Sequence, residues 1–457
     1  MSKMDYDVIV AGAGPGGCIA ARDLARAGFS VAIFDSSDHD NLCHPIVVEA
    51  EKTVFSECGV PLPEGEEKPY HQKRMRVFSK NREVFTLEGD HPAISLRLDH
   101  FARRLLGYAE EAGAKFYPGH KAVGPLIESG KVVGAKFKKG ESDEEVKARL
   151  VIDATGFQAA LLRKLPDEFG MGFVDDKEDV VIAENRWHNI DRVRAQKAVA
   201  NGRHYDDEVW NRLGKYGNYS TVYSYLSLEH EKAYILIGHK AAYDNPPISD
   251  LVDTFREEQD YYGEELYGGQ GPIRVRRSWP KLVADGFMVV GEAACTIIPM
   301  HGSGVASAMI TGKLAAGAAG NALSKGEATT EALWPYPHSY QTGRGALLAG
   351  FDANKLVIES LANDQVAKLM ESGAMTSEDL WNAAVPAPMK FSPGSLPGRA
   401  LAILMNPGLI GKVIKMGSKM SAAENHYTRY PSRWDPAEFA AWRKKEEDIF
   451  RDLLLAR

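Results

Sequence analysis

At 457 residues the chain is too long for one ordinary core, so two or three domains sharing interfaces are expected. Hydrophobic residues at 44% and charged residues at 26% describe a globular protein, and a formal net charge of −7 argues against a general nucleic-acid binder. Four cysteines without CxxC spacing (Cys18, Cys43, Cys58, Cys295) speak against a zinc site or disulfide framework and for a reducing cytosol. The N-terminus reads straight into a strand with no secretory leader, and no apolar run reaches the ~18–20 residues that span a bilayer.

Residues 6–11 read as a buried strand and residues Gly16 to Gly28 as a helix rich in Ala and Leu. Between them lies Gly12-Ala13-Gly14-Pro15-Gly16-Gly17, a GxGxxG loop. Its first glycine permits a tight turn, its second lets a pyrophosphate approach the backbone, and its third lets helix pack on strand. A second strand, Val31–Phe34, ends at Asp35, a carboxylate about 20 residues on that can accept from the ribose hydroxyls of an adenosine. Strand, glycines, helix, strand and acid in register predict a dinucleotide site.

Further along, MRVFSKNREVFTL reads as a hairpin, and Arg97 opens a helix in RLDHFARRLLGYAEE. Asp153-Ala154-Thr155-Gly156 ends another strand. In YSYLSLEHEKAYILIGH, Tyr223, Tyr225 and Ser227 alternate with Val222, Ser224 and Leu226, a strand with one aromatic face that lines a pocket or joins the core. A second glycine-rich stretch then follows: strand Phe287–Val290, Gly291-Glu292, and Pro299-Met300-His301-Gly302-Ser303-Gly304 opening a helix. An NAD enzyme has no need of it, whereas FAD does. Glu292 can hold a sugar or ribityl hydroxyl, and amides at a helix start can face the flavin N1–C2=O edge. From about 331 the pattern is helical, with prolines 386, 388, 393 and 397 between two portions. Residues 398–423 carry Leu401, Leu404, Leu409, Ile410, Val413 and Ile414 with Lys412, Lys415 and Lys419, which reads as an ordinary packing helix or a weak membrane-surface contact.

These stretches together resemble the FAD-dependent geranylgeranyl reductases, within the p-hydroxybenzoate hydroxylase-like flavoproteins. The resemblance implies an α/β fold with three parts: a Rossmann-like FAD-binding domain (1–72, 95–165 and 280–330), a strand-rich substrate domain (73–94 and 166–279) and a C-terminal helical module (331–457). It implies FAD contacts from Gly12 to Gly17, Asp35, Arg97, Asp153, Gly156, Gly291, Glu292, Pro299, Gly302, Ser303 and Gly304, with Glu292 in place of the family's aspartate. Two departures touch the substrate side. In CHPIVVEAEKTVFSECG, Pro45 aligns with the family's Lys-Pro-Cys-Gly, but Ile46 takes the cysteine's position, leaving Cys43 and His44 as a candidate pair. The family's YxWxFP is represented by Tyr223, Tyr225, Ser227 and Leu228. Cys43, His44, Tyr223, Tyr225 and His301 are the candidate catalytic residues, His301 being read as a polar cap or an acid.

Three functions follow from the resemblance and its departures: reduction of isolated alkenes in a prenyl chain, flavin monooxygenation or another oxidation of an apolar or aromatic substrate, and non-catalytic lipid binding. The partners expected are an apolar small molecule and an electron donor, NAD(P)H or ferredoxin-like. The expected place is the cytoplasm, with the option of peripheral membrane contact.

Overall fold

A computed structural model describes residues 4–70, 73–79, 82–217, 220–383, 385–386 and 407–455. The chain begins with β1 (Tyr6–Ala11), a helix (Pro15–Arg26), β2 (Val31–Phe34) and β3 (Val47–Glu51). Next come β4 (Arg74–Ser79), β5 (Arg82–Glu88), β6 (Ala93–Arg97) and a helix (Leu98–Glu111). Then β7 (Lys115–Tyr117), β8 (Lys121–Glu128), β9 (Lys131–Lys139) and β10 (Ser142–Asp153) lead to β11 (Val180–Ile190) and β12 (Glu208–Leu213). The strands end with β13 (Thr221–Ser227), β14 (Lys232–Lys240), β15 (Tyr262–Arg274), β16 (Val283–Ala284) and β17 (Phe287–Val289).

The first sheet has the order β16-β17-β10-β1-β2-β7, with β8 and β9 branching from β10. Strands β17, β10, β1 and β2 are parallel, and their continuous apolar runs follow from burial on both faces. Val8, Ile9, Val10 and Ala11 are fully buried, as are Val151 and Ile152 beside them. The helices Pro15–Arg26, Leu98–Glu111 and Val305–Ser324 supply residues to the same core. Pro15 at the first helical position suits an amide that has no intrahelical partner.

The second sheet runs β15-β11-β14-β13-β12-β4-β5. Its back face is closed by the helix Ile248–Glu258, whose Val252 and Phe255 pack on Val222, Ile235 and Ile237. A third, two-stranded sheet pairs β3 with β6 antiparallel.

Several helices after residue 330 share the first core rather than standing apart from it, while the helix Asn363–Glu371 places Met370 against Val77 and Leu87 of the second sheet. Leu333, Trp334, Tyr336 and Tyr340 lie in the same cluster as β1, and Tyr336 Oη donates to Val289 O at 2.8 Å. Arg277 ties them in further, donating to Asp352 (2.9 Å) and Glu446 (2.8 Å). Of the expected amphipathic segment, Leu401 and Leu404 lie outside the described residues, as do the prolines at 388, 393 and 397. Its described part belongs to the helix Pro407–Tyr427, which buries Met420, Ala423 and Tyr427. Among the described residues no helix is long and apolar enough to cross a membrane.

Candidate active site

The parallel strands of the first sheet end in register: Ala11 pairs with both Phe34 and Asp153, and Asp153 with Val289. The residues that follow each strand therefore meet along one carboxyl edge, where open α/β sheets take their ligands. Here stand the Gly12–Gly17 loop, Asp35, Ala154–Gly156 and Gly291–Glu292. Gly12 has φ +107°, and a Cβ there would lie 2.2 Å from Ala154 O. Gly14 is the opposite case, with nothing within 4 Å of a Cβ, so that the start of the helix is open to a phosphate. A Cβ on Gly16 would come 2.9 Å from Ala308 O, and one on Gly312 would come 2.2 Å from Gly16 O. The helix behind the first glycine loop thus crosses the helix behind the second at backbone distance.

Carboxylates organise this edge. Asp35 accepts from Ala13 N (2.7 Å) and Ser37 N (2.8 Å). Glu292 has a buried Oε1 with no hydrogen-bond partner among the described residues, and its Oε2 lies 3.9 Å from where a Cβ on Gly156 would stand. Burial pushes the Glu292 carboxyl up to about 7, against the opposing pull of the Arg274 backbone and charge. An orphaned acceptor beside an open glycine loop is what hydroxyl and phosphate groups of a dinucleotide would complete.

The other half of the site lies where the third sheet meets the second, and is called the cleft below. Across the second sheet one register row reads Met75, Val209, Tyr225, Tyr234, Trp187 and Tyr267. The next reads Val77, Asn211, Tyr223, Leu236, Asn185 and Gly269. Directly opposite residues share a face, so both rows point the same way. The aromatic row gathers Tyr70 and Val47 into one cluster, with the Tyr70 ring 4.8 Å from that of Tyr225 and the Trp187 ring 5.1 Å from that of Tyr234. Asn185 Oδ1 and Trp187 Nε1 are buried on this face without partners among the described residues.

Alternate residues of β15 mark the length of the cleft. The Arg97 guanidinium lies 3.8 Å over the Tyr267 ring. A Cβ on Gly269 would touch His44 and Ile46 at 3.2 Å, a Cβ on Gly271 would meet nothing within 4 Å, and Ile273 lies 3.8 Å from a Cβ on Gly302. Six residues of strand, about 20 Å, thus separate the Tyr267 end from the second glycine loop. At the Tyr267 end a pocket of about 620 Å³ opens, lined by Glu66, Lys68, Tyr70, Arg97, Lys232 and Tyr267 among others. Toward the loop, Glu51 of β3 is buried in a bidentate pair with Arg344 (Nη1 to Oε2, 2.7 Å), and Arg344 Nε donates to Ser307 Oγ at 2.8 Å. Arg344 sits on a turn of π-helix, Gln341–Gly345.

Residues 6–202 match the pyridine nucleotide-disulphide oxidoreductase family model. Over nearly its whole length the chain is similar to the digeranylgeranylglycerophospholipid reductase of Sulfolobus acidocaldarius, 25% identical and covering 99% of each. The enzyme of the same name from Methanoculleus marisnigri is 27% identical over 82% of this chain and 92% of its own. A solved geranylgeranyl bacteriochlorophyll reductase-like protein from Thermoplasma acidophilum shares the fold, with a TM-score of 0.71 and 21% identity over 90% of this chain and 99% of that one. The chain is thus similar, over nearly its whole length, to proteins named as geranylgeranyl-chain reductases. It is a flavoprotein oxidoreductase with FAD as cofactor. For this geranylgeranyl reductase relative, the edge described above fits FAD: the Gly14 face is open, Asp35 is presented at a strand end, and Glu292 Oε1 awaits a donor.

Several expected residues stand elsewhere in the family framework. Burial first, then the charges of Asp35 and Asp99, push the Cys43 thiol up to about 12, which keeps it in the protonated form. Those neighbours put it beside the Asp35 end of the edge, whereas His44 turns to Gly269, so the two do not form a pair. Tyr225 is enclosed in the aromatic cluster and donates to Asp207 Oδ1 at 2.8 Å, which removes it as a proton source. Tyr223 remains half-buried in the cleft, and burial raises its hydroxyl far above the ordinary range. His301 is exposed in the turn ahead of the helix, whose N-cap is Gly304. Asp153 is fully buried and accepts from Thr155 N, Thr155 Oγ1, Leu161 N and Leu162 N at 2.7–3.0 Å. It shapes the turn, and only the backbone of 154–156 is left to approach a cofactor. Arg97 gives its guanidinium to Asp99 (2.9 and 2.7 Å) and to the Tyr267 face.

Glu51, Arg344, Trp187 and Tyr70 were not anticipated. The alternation in Val47-Val48-Glu49-Ala50-Glu51 carried a signal, since two carboxylates on one face of an apolar strand need partners or a purpose. Nothing local marks Arg344, whose partner lies 293 positions away.

Proposed function

We propose that the protein reduces isolated C=C bonds of a geranylgeranyl or other prenyl lipid chain. The observation that supports this reading is the layout of the second sheet: an aromatic row across its strands, a cation-bearing pocket at the Tyr267 end of β15, and the second glycine loop about 20 Å along that strand. A ligand with an anionic head and a long apolar tail is complementary to both ends. Lys68 and Lys232 would meet the head group. Tyr70, Tyr223 and Trp187 would line the tail, and the open space over Gly271 would admit an alkene to the flavin side. Bound FAD, once reduced, supplies the hydride. The chain's part is to orient the alkene and keep water from it, as the enclosed aromatic wall allows. Enzymes similar to this chain along most of its length are named for such a substrate. A lipid of this kind is delivered from a bilayer, so reversible surface contact belongs to the same proposal, with exposed Ile414 beside Lys415 as its described candidate.

The test uses FAD-loaded protein, reduced anaerobically with dithionite so that no biological donor is needed, and incubated with digeranylgeranylglycerophospholipid. Mass spectrometry should show two hydrogens gained per double bond. Untouched lipid beside fully reduced flavin would sink the reading. Oxygen uptake stimulated by a ring compound would instead favour monooxygenation. Lys68→Glu with Lys232→Glu should raise KM several-fold for the phosphate-bearing lipid while leaving kcat and the melting temperature unchanged.

A further inference from the structure

Reduction of an isolated alkene needs a proton as well as a hydride, and the residues first suited to give it are removed by their surroundings. Cys43 faces Asp35, Tyr225 is bound to Asp207, and His301 lies exposed in the loop. The third sheet offers another group. Val47, Glu49 and Glu51 alternate with Val48 and Ala50 along β3. Val47 packs in the aromatic cluster and Ala50 in the core of the first sheet, so the odd-numbered side chains face the cleft. The register with β6 sets Val47 opposite Arg97, Glu49 opposite Ser95 and Glu51 opposite Ala93. Arg97 marks the pocket end and Glu51, tied through Arg344 to Ser307, marks the end near the glycine loop. Glu49 stands midway, about 7 Å of strand from each.

Resting on the reductase reading above, we propose that Glu49 is the acid that protonates the alkene in the cleft. The groups facing it are His91 from the turn before β6, Ser95 from β6, Tyr70, and Tyr223 and Tyr234 from the second sheet. Among these only His91 can become a cation. Burial raises the Glu49 carboxyl and outweighs the lowering influence of His91, so the protonated form is favoured in the closed cleft. Tyr70 and Tyr234 stand hydroxyl to hydroxyl at 3.5 Å, and burial drives both far upward, which leaves them as wall rather than acid. Both oxygens of Glu51 are taken by Arg344, which leaves it turned away from a substrate.

In the step the Glu49 O–H bond breaks and its proton forms a C–H bond with the π pair at one alkene carbon. The other carbon accepts the hydride equivalent from the reduced cofactor. The alkene is reduced by two electrons, FAD is oxidised, and the carboxylate left on Glu49 takes a proton from solvent before the next turnover. The proton source thereby sits on the cleft face of β3.

Glu49→Gln, close in shape to the acid, and Glu49→Asp test this. The FAD-loaded variants should match wild type in flavin absorbance and melting temperature. Infrared difference spectra should show the carbonyl stretch of a protonated carboxyl in wild type, titrating above the ordinary carboxylate range and missing from Glu49→Gln. Anaerobic reoxidation of reduced flavin by the prenyl lipid should slow on the order of 10²–10⁴-fold in Glu49→Gln. Glu49→Asp should recover part of that rate. Wild type should slow as pH rises through the titration of the band, and Glu49→Gln should be flat over that range. Reoxidation of Glu49→Gln at the wild-type rate, or absence of the band from wild type, overturns the assignment while leaving the reductase reading intact. A wild-type protein that cannot be reoxidised by the lipid removes both.

Discussion

The carboxyl edge of the first sheet and the cleft below it are built in different ways. The edge is made of backbone: glycines at Gly12, Gly14, Gly156 and Gly291, strand ends in register, and two carboxylates that hold loops. The cleft is made of side chains contributed by β3, β6, β11, β13, β14 and β15 and by Arg344 from the far end of the sequence. A backbone site tolerates variation almost everywhere except at its glycines. A side-chain site can exchange its members, provided the walls still enclose the same volume. The edge accordingly binds a cofactor common to many chemistries, and the cleft chooses among them.

The sharpest way to break this contrast is within the edge itself. Gly12→Ala forces a side chain into positive φ and into Ala154 O at 2.2 Å, where strand β10 leaves no room. It should destabilise the fold by about 4–5 kcal/mol and lower the yield of folded protein. Gly14→Ala meets no atom within 4 Å and should melt like wild type, yet lose FAD because the methyl stands where the phosphates approach. Circular dichroism melting and the ratio of flavin to protein absorbance separate the two outcomes. Equal stability of both variants would mean that the glycine contacts do not set the edge.

A second variant tests the joint between the regions. Glu51 and Arg344 are both largely buried, so Arg344→Met leaves a carboxylate without a cation and should cost about 3–4 kcal/mol. Adding Glu51→Gln should restore most of that loss, because the pair is more costly to break than to delete. Chemical denaturation of the two single variants and the double variant gives the coupling directly. A single-variant loss under about 1 kcal/mol would show that water reaches the pair.

Much of the edge was legible before any coordinates. GxGxxG, the following strand and Asp35 are local in sequence, and their chemistry is carried by residue types that have few other uses in that order. The second glycine loop was legible for the same reason. The cleft was not: Trp187, Tyr234 and Tyr267 become one row only through antiparallel registers between strands far apart in the chain. Even where a motif was seen, side-chain fate was not. Asp153 has a cofactor-like address but gives all its acceptor capacity to its own turn, and Cys43 lies in the expected segment but faces the wrong way. Single strands reveal which residues share a face, and only pairing reveals what that face looks upon.

Glu292 sharpens the comparison by pH. Its carboxyl stands at about 7 against a usual value of 4.5, the cause being burial beside Gly156 with only Arg274 to oppose it. The folded state therefore holds a proton that the unfolded chain has released between those values, and stability is lost as pH rises through that window. In FAD-free protein, Glu292→Gln should be more stable than wild type by at most about 3 kcal/mol above pH 7, and equal to it below pH 4.5. In FAD-loaded protein the ionised carboxylate can accept from the cofactor, so the advantage of glutamine should shrink or reverse. Melting curves at about pH 4.5 and about pH 8, each with and without FAD, measure all four corners. A pH-independent difference would mean that the Glu292 carboxyl is already satisfied, and that the edge holds FAD through its backbone alone.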